Sequence, residues 1–192
     1  MTHSRDNTQE TTPRDNTERQ HTIQSITEIK HAMTTDTTSQ APLLNEHNKA
    51  EHQPSHTAEH LLNQTMGRMF GCGRSKNAHI ERKKSKINFD LDTCPSPEQV
   101  EEIERRMNAL IAEDLPVTYE YVTRDNIPEG VKLDKLPDDA SETLRLVRIG
   151  NYDVCPCIGQ HVTSTKEIGG FHITSTSFKD GSFRIVFKVE NI

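Results

Sequence analysis

The chain has 192 residues, of which 31% are hydrophobic and 5% aromatic, with no tryptophan. Spread evenly, that composition would make a poor core for one domain of this size. The formal net charge of −6 differs from the basic balance typical of dedicated duplex-binding proteins, so any contact with nucleic acid is expected to depend on a local basic patch.

The composition changes along the chain and predicts two parts. Residues 1–50 are almost all polar or charged and predict a disordered, low-complexity tail, because they cannot bury enough apolar surface to offset the entropy lost on ordering. The apolar residues gather in residues 51–192, which are predicted to form one domain. With no apolar signal segment and no stretch of ~18 apolar residues, we expect a cytoplasmic protein without membrane contact and with reduced cysteines.

The first predicted element is a helix over residues 56–70, with Ser55 as its N-cap and Gly71 or Gly73 at its end. Two short strands are predicted next, over residues 78–82 and 86–91.

A second helix is predicted from Pro97, capped by Ser96 and ending before Pro116. Further strands are predicted over residues 117–123, 144–149, 171–176 and 183–189, and the last two are expected to pair across a turn at residues 179–182. Residues 150–170 are predicted to be irregular. Helices and strands that do not alternate regularly predict an α+β domain with a mainly antiparallel sheet and helices packed on one face.

Two pairs of residues at i, i+4 spacing carry the predicted chemistry. His56 and His60 are one turn apart on the first helix and can point at one metal ion, although such a pair alone is weak. Cys157 and His161 repeat the spacing in the irregular segment. One cysteine and three histidines make a four-ligand set that suits Zn²⁺ better than the oxygen-seeking Mg²⁺ or Ca²⁺. Spatial convergence of the two pairs is an expectation at this point.

These residues also carry a family resemblance. The segment HTAEHLL at residues 56–62 resembles the first metal motif of the alanyl-tRNA synthetase editing domain, and CIGQHV at residues 157–162 resembles the second. The intervening RLVRIGNYD at residues 145–153 resembles the strand that leads into the second motif, and residues 162–192 are similar to the C-terminal hairpin of the family.

The chain resembles the free-standing members of this family, the AlaX proteins, and the threonyl-tRNA synthetase carries a similar domain. It implies a zinc-dependent hydrolase acting in trans on the ester of a mischarged aminoacyl-tRNA, most often seryl-tRNA(Ala). Ile158 and Gln160 depart from the family pattern beside the metal ligands, which leaves the amino-acid preference open.

Two other functions stay open. One is a catalytically inactive, zinc-stabilised RNA-binding or interaction module of the same fold, which Ile158 and Gln160 beside the metal ligands suggest. Four protein ligands are also typical of a structural zinc site. The other is a threonyl-type editor or a hydrolase of a different aminoacyl ester. The sequence does not indicate an oligomeric state.

The remaining candidate residues follow the first helix or flank the second motif. Substrate contacts are predicted for Ser75, Asn77 and Gln160, although polar residues are also expected in turns. Contacts with tRNA phosphates are predicted for a basic stripe that could equally be a solvated surface: Arg74, Lys76, Arg82, Lys83 and Lys84. We interpret Cys155 as a spare thiol near the site.

Overall fold

The structure, a computed structural model, describes residues 52–131, 133 and 142–190. The tail predicted for residues 1–50 lies outside them. The described residues form helices α1 (Gln53–Phe70) and α2 (Pro97–Ala112) and strands β1 (Asn77–His79), β2 (Ser85–Asp90), β3 (Val117–Thr123), β4 (Thr143–Ile149), β5 (Asp153–Pro156), β6 (Gly170–Lys179) and β7 (Ser182–Glu190).

The strands form two antiparallel sheets, one with the order β1-β2-β7-β6 and one with the order β3-β4-β5. Helix α1 packs against α2 and β7, and α2 packs against β6. The predicted α+β class with antiparallel strands is therefore confirmed, with two sheets where the sequence suggested one. None of the helices in the described part of the chain has the length and apolar character needed to cross a membrane.

Helix α1 begins earlier than predicted. It starts at Gln53, with His52 in the N-cap position, and Pro54 lies in the first turn, where its missing N–H leaves no helical hydrogen bond unmade. The Ser55 hydroxyl does not cap the helix but bonds the His52 ring and the Glu81 carbonyl. The C-terminal end is as predicted at Gly71, which adopts a left-handed φ of 69°.

Helix α2 confirms its predicted start. The Ser96 hydroxyl accepts the Gln99 N–H at 3.3 Å, and the Gln99 side chain accepts the Ser96 N–H at 2.9 Å. This reciprocal capping satisfies two backbone donors that the helix itself leaves free. The helix buries the apolar side chains of Ile103, Met107, Leu110 and Ile111.

Substituting alanine for Ser96 is expected to lower the free energy of unfolding by about 1 kcal/mol, because the Gln99 N–H loses its acceptor. Urea denaturation measures this change. Ser96→Asp keeps an acceptor oxygen and is expected to stay within a few tenths of a kcal/mol of the wild type. Equal stability of the alanine variant and the wild type would contradict a role for the cap.

Strand β5 corrects the prediction that residues 150–170 are irregular throughout. Asp153–Pro156 pairs with β4, and Thr165–Ile168 forms a short 3-10 helix. The strand has only four residues and includes a proline, so it lacks the length and the alternation by which strands are predicted. Its pairing with β4 places the following loop against α1.

The hairpin β6–β7 is longer than predicted, and Asp180 and Gly181 form its turn. Both have positive φ, of 51° and 77°, as a two-residue hairpin turn requires. The core beneath the sheet is formed by side chains from both helices and the long strands, among them Leu61, Leu62, Met66, Ile103, Met107, Phe171, Phe183 and Phe187.

Candidate metal centre

The structure brings the four predicted metal ligands together. His56, His60, Cys157 and His161 each offer a ligand atom, and these atoms all lie within 4.8 Å of one another. The Cys157 Sγ is 3.5 Å from the His56 Nε2, and the ring centroid of His161 is 4.2 Å from that of His56 and 4.5 Å from that of His60. The three histidines are buried. The cluster is therefore a compact, largely buried donor set.

Backbone and side-chain hydrogen bonds hold the loop that carries Cys157. The Cys157 N–H donates to the Arg145 carbonyl on β4 at 3.0 Å. The Arg145 guanidinium donates in return to the carbonyls of Cys157 and Gly159. The loop is thus fixed to the end of β4, facing the first turns of α1.

Each imidazole is oriented by an acceptor at its Nδ1 atom. The His56 Nδ1 is 3.1 Å from the Gln160 carbonyl oxygen, and the His60 Nδ1 is 3.4 Å from a carboxylate oxygen of Asp153. The Thr57 hydroxyl donates to the Gln53 carbonyl and therefore accepts from the His161 Nδ1 at 3.2 Å. The hydrogen bonds of His56 and His161 assign the proton of these two rings to Nδ1 and leave their Nε2 atoms free to bind a metal.

The surroundings of the His161 Nε2 atom indicate whether a metal ion fits this cluster. It is buried and has no hydrogen-bond partner within the described residues. A buried polar atom without a partner is costly, and its lone pair faces a thiol and two other imidazoles. A set of three nitrogens and one sulfur is one that Zn²⁺ prefers, so the residues present fit this ion.

The ionisation of two ligands also suits a metal. Burial opposes ionisation of Cys157, but the contacts with His161, His56 and His60 outweigh it and lower the thiol pKa to about 2. Burial lowers the pKa of His161 to about 4. Cys157 is therefore a thiolate and His161 a neutral imidazole near neutral pH, the forms in which both bind metals.

The ion pair between Arg74 and the buried Asp153 lies next to His60, and the sequence analysis did not predict it. Burial raises the pKa of the Asp153 carboxyl, but His60 and Arg74 outweigh it, and the net shift is downward. Arg74 holds Asp153 by two hydrogen bonds, of 2.6 and 3.2 Å.

Burial lowers the pKa of His60, but Cys155 and Asp153 raise it well above its usual value. The buried Cys155 thiol lies 3.3 Å from the His60 Nδ1, which places it beside the site as interpreted from the sequence.

The signal for Asp153 was an acidic residue four positions before the predicted ligand Cys157. The sequence indicated Thr57 only as a hydroxyl residue that directly follows the predicted ligand His56. Neither pattern is specific, because only the contact across the fold gives these side chains their role.

Of the predicted substrate-binding residues, Ser75 and Asn77 line one cavity, whereas Gln160 lies in the metal-binding loop. Ser75 is buried, and its N–H donates to the Asn63 side chain, whereas Asn77 begins the exposed strand β1. Both line a cavity of about 330 Å³, whose other walls are formed by Gly73, Arg74, Lys76, Asn88, Asp90 and Ser182. The Gln160 side chain accepts a hydrogen bond from Gln53 at the surface, and only its carbonyl contacts His56. Their roles in substrate binding stay predictions.

Most of the predicted basic stripe is exposed. Arg82, Lys83 and Lys84 lie in the loop between β1 and β2, and Lys76 directly precedes β1. The hydrogen bond from Ser55 to Glu81 ties this loop to the first turn of α1, close to the metal centre. Arg74 differs, because its guanidinium is engaged with Asp153. Contact with tRNA stays a prediction for all five.

Comparisons with known proteins agree with this architecture. The family described as threonyl and alanyl tRNA synthetase second additional domain matches residues 144–186, which include Cys157 and His161. The chain is 32% identical over 117 residues to alanyl-tRNA editing protein AlaX-L of Pyrococcus horikoshii, which covers 59% of this chain and 28% of that protein.

Several alanine–tRNA ligases are also similar. The chain is 34% identical over 136 residues to that of Halorubrum lacusprofundi, covering 69% of this chain and 15% of the ligase. With the ligase of Methanococcus maripaludis the match is 26% identical over 171 residues, 87% of this chain and 19% of the ligase. The chain thus spans less than a third of the length of these relatives. Residues 144–186 thus belong to the family of the threonyl and alanyl tRNA synthetase second additional domain, and an AlaX-type editing protein is among the relatives of the chain.

Proposed function

We propose that this chain hydrolyses mischarged aminoacyl-tRNA, with seryl-tRNA(Ala) as its substrate, at a Zn²⁺ site held by His56, His60, Cys157 and His161. The observation that carries the proposal is the largely buried cluster of these four side chains, in which the His161 Nε2 has no hydrogen-bond partner among the described residues. The similarity to an alanyl-tRNA editing protein supports the substrate class. The proposed location is the cytoplasm, with the translation apparatus.

Hydrolysis of this ester mainly requires that the site position the substrate and a water molecule. The ester between an amino acid and the terminal ribose is already activated, so the site has to place a water molecule, orient the carbonyl and stabilise developing negative charge. A bound Zn²⁺ supplies Lewis acidity for the carbonyl oxygen and lowers the pKa of water.

The chain's own residues supply the order of the site. The Gln160 carbonyl, the Thr57 hydroxyl and the Asp153 carboxylate each hold one imidazole in a fixed orientation. Orientation by such partners keeps the donor set assembled before substrate arrives, so that less reorganisation is needed during the reaction.

The polar cavity at Ser75 and Asn77 is the proposed pocket for the amino-acid side chain. Arg74 borders this cavity and also holds Asp153, which contacts His60, so the cavity wall and the metal centre are physically connected. Hydroxyl and amide groups in the lining offer hydrogen-bond partners to a substrate that carries a hydroxyl.

The exposed basic loop at residues 82–84 is the proposed contact for tRNA phosphates. Lysine and arginine contacts with phosphate are sequence-independent and strongly weakened by salt. The loop lies beside the first turn of α1, and so beside the site where the acceptor end has to enter. Local positive charge there offsets the net charge of −6 of the whole chain.

The four-ligand set itself favours a second candidate, a zinc-stabilised tRNA-binding module without catalysis. Closed sites with four protein ligands are usually structural, whereas hydrolytic zinc sites usually keep one position open. Ile158 and Gln160 beside the ligands fit either function.

Metal analysis followed by deacylation assays tests the proposal. We expect one Zn²⁺ per purified chain and hydrolysis of seryl-tRNA(Ala) that stops when a chelator removes the metal. The His56→Ala variant is expected to lose both zinc and activity, and full activity in that variant would sink the proposed mechanism.

A panel of mischarged tRNAs separates the alternatives. Preferential hydrolysis of seryl-tRNA(Thr) would identify a threonyl-type editor. One bound zinc and tight tRNA binding, but no hydrolysis above background for any substrate, would favour the binding module. Absence of zinc from the purified chain would overturn both zinc-based functions.

A further inference from the structure

Two tyrosines on strand β3 present exposed aromatic rings. Tyr119 is 44% exposed and Tyr121 is 49% exposed, and they are the exposed large hydrophobic side chains of the described residues. Because side chains two positions apart on a strand point to the same face, the two rings are neighbours, about 7 Å apart along the strand. They form a small aromatic surface that neither the core nor the proposed metal ligation uses.

Contacts with the metal centre hold one end of this surface. The Tyr119 hydroxyl accepts the His161 N–H at 3.3 Å, and its ring centroid is 6.5 Å from the centroid of the His161 ring. The Arg145 guanidinium lies 4.5 Å from the centre of the Tyr119 ring, on one of its faces. The ring is therefore held in place at both its hydroxyl and one face while much of its surface stays in solvent.

Tyr121 continues the surface away from the ligands. It lies directly opposite Arg145 in the antiparallel register of β3 and β4, so the cationic side chain and both rings belong to the same face of the sheet. Arg145 also donates to the carbonyls of Cys157 and Gly159. The aromatic surface and the metal-binding loop are thus connected through this one side chain.

The chemistry of the surface fits an unpaired nucleobase. Single-stranded nucleic acids bind proteins by stacking bases on aromatic rings, with basic side chains attracting the backbone, and such stacking tolerates every base because each has a π face. A tyrosine ring already fixed by other contacts loses little conformational entropy when a base stacks on it. A guanidinium beside the rings favours an anionic partner over a neutral apolar peptide.

We propose that Tyr119 and Tyr121 form a stacking platform for the unpaired nucleobases at the 3′ end of the tRNA. The inference rests on the proposed function, because a substrate ester placed at the metal centre brings the base of the same nucleotide to the neighbouring surface. The platform recognises the end of the tRNA without reading the amino acid or the sequence of the acceptor stem.

The test uses an uncharged tRNA transcript whose 3′-terminal adenosine is replaced by the fluorescent base 2-aminopurine, so that no hydrolysis is involved. Stacking on a tyrosine ring is expected to quench its fluorescence when the wild-type zinc-loaded protein binds. Tyr119→Ala is expected to remove most of the quenching, because Tyr119 is the ring next to the metal centre. Tyr121→Ala is expected to remove part of the quenching and to weaken binding by roughly 5- to 150-fold. Tyr121→Phe retains a ring and is expected to behave as the wild type.

Thr118→Ala is the matched control, because Thr118 is exposed on the same strand and points to the opposite face. Zinc content and the unfolding midpoint of every variant show that the fold is intact. Unchanged quenching and affinity in Tyr121→Ala would overturn the platform, as would a wild-type protein that deacylates its substrate without quenching the probe. Tyrosine-dependent quenching by a protein that hydrolyses no aminoacyl-tRNA would leave the platform standing and contradict only the proposed hydrolysis.

Discussion

Replacing His161 by alanine is expected to weaken Zn²⁺ binding by roughly 100-fold and to reduce hydrolysis of seryl-tRNA(Ala) at least as strongly. The binding free energy of a four-ligand zinc site is about 10–16 kcal/mol, so one ligand accounts for about 3 kcal/mol. His161 is also the ligand whose Nε2 has no other partner within the described residues, so the wild-type side chain gains most from the ion. Competition with a chromophoric chelator measures the affinity.

The matched control is His172→Ala. This histidine is partly exposed and lies near Glu104 and Glu190, at distances of 3.6 and 3.2 Å, and it is not part of the cluster. Its removal is expected to leave zinc content and hydrolysis unchanged. If the His161 variant bound zinc as tightly as the control, the proposed ligand set would be wrong.

Replacing Asp153 by asparagine is expected to lower the free energy of unfolding by about 3–5 kcal/mol, because the substitution leaves the largely buried Arg74 guanidinium without its counter-charge. The Asp153 side chain is 1% exposed, accepts a hydrogen bond from Arg74 and lies 3.4 Å from the His60 Nδ1. Loss of its charge also frees the His60 ring, so we expect zinc affinity to fall by roughly 10- to 100-fold. Urea denaturation of the metal-free and zinc-loaded forms separates the two effects, since a ligand bound only by the folded state adds to stability.

A double variant tests the physical reason for this loss. Arg74→Met combined with Asp153→Asn removes both charges and is expected to recover part of the stability, because no unpaired buried charge remains. Zinc affinity is not expected to recover, since His60 still lacks its carboxylate partner. Recovery of zinc affinity together with stability would mean that Asp153 acts through the charge of Arg74 alone and does not orient His60.

The arrangement explains why Arg74 differs from its basic neighbours. A guanidinium that makes two hydrogen bonds to one carboxylate is fixed in direction as well as in charge. Arg74 therefore braces the carboxylate that orients His60, while Lys76 and the loop at residues 82–84 present their charges to solvent. One basic segment thus supplies both support for the metal centre and the proposed surface for phosphates.

Features governed by neighbours in the chain could be predicted from the sequence alone. The start of α2 follows from Ser96, Pro97 and Gln99, whose capping interactions involve only three or four consecutive residues. The His56–His60 half of the metal site follows from i, i+4 spacing on a helix, which sets the geometry of that pair locally. The exception was the start of α1, where Pro54 extends the helix back beyond the predicted Ser55 cap.

The tertiary structure decided everything that depends on contacts between distant segments. The sequence does not show that the pair on α1 meets the pair after β5, because about a hundred residues separate them and only the pairing of β4 with β5 brings the loop into place. The roles of Asp153 and of Tyr119 were hidden for the same reason. Their partners, His60 and His161, lie far away in sequence, and an acidic or aromatic residue in a strand pattern carries no local signal of what it will touch.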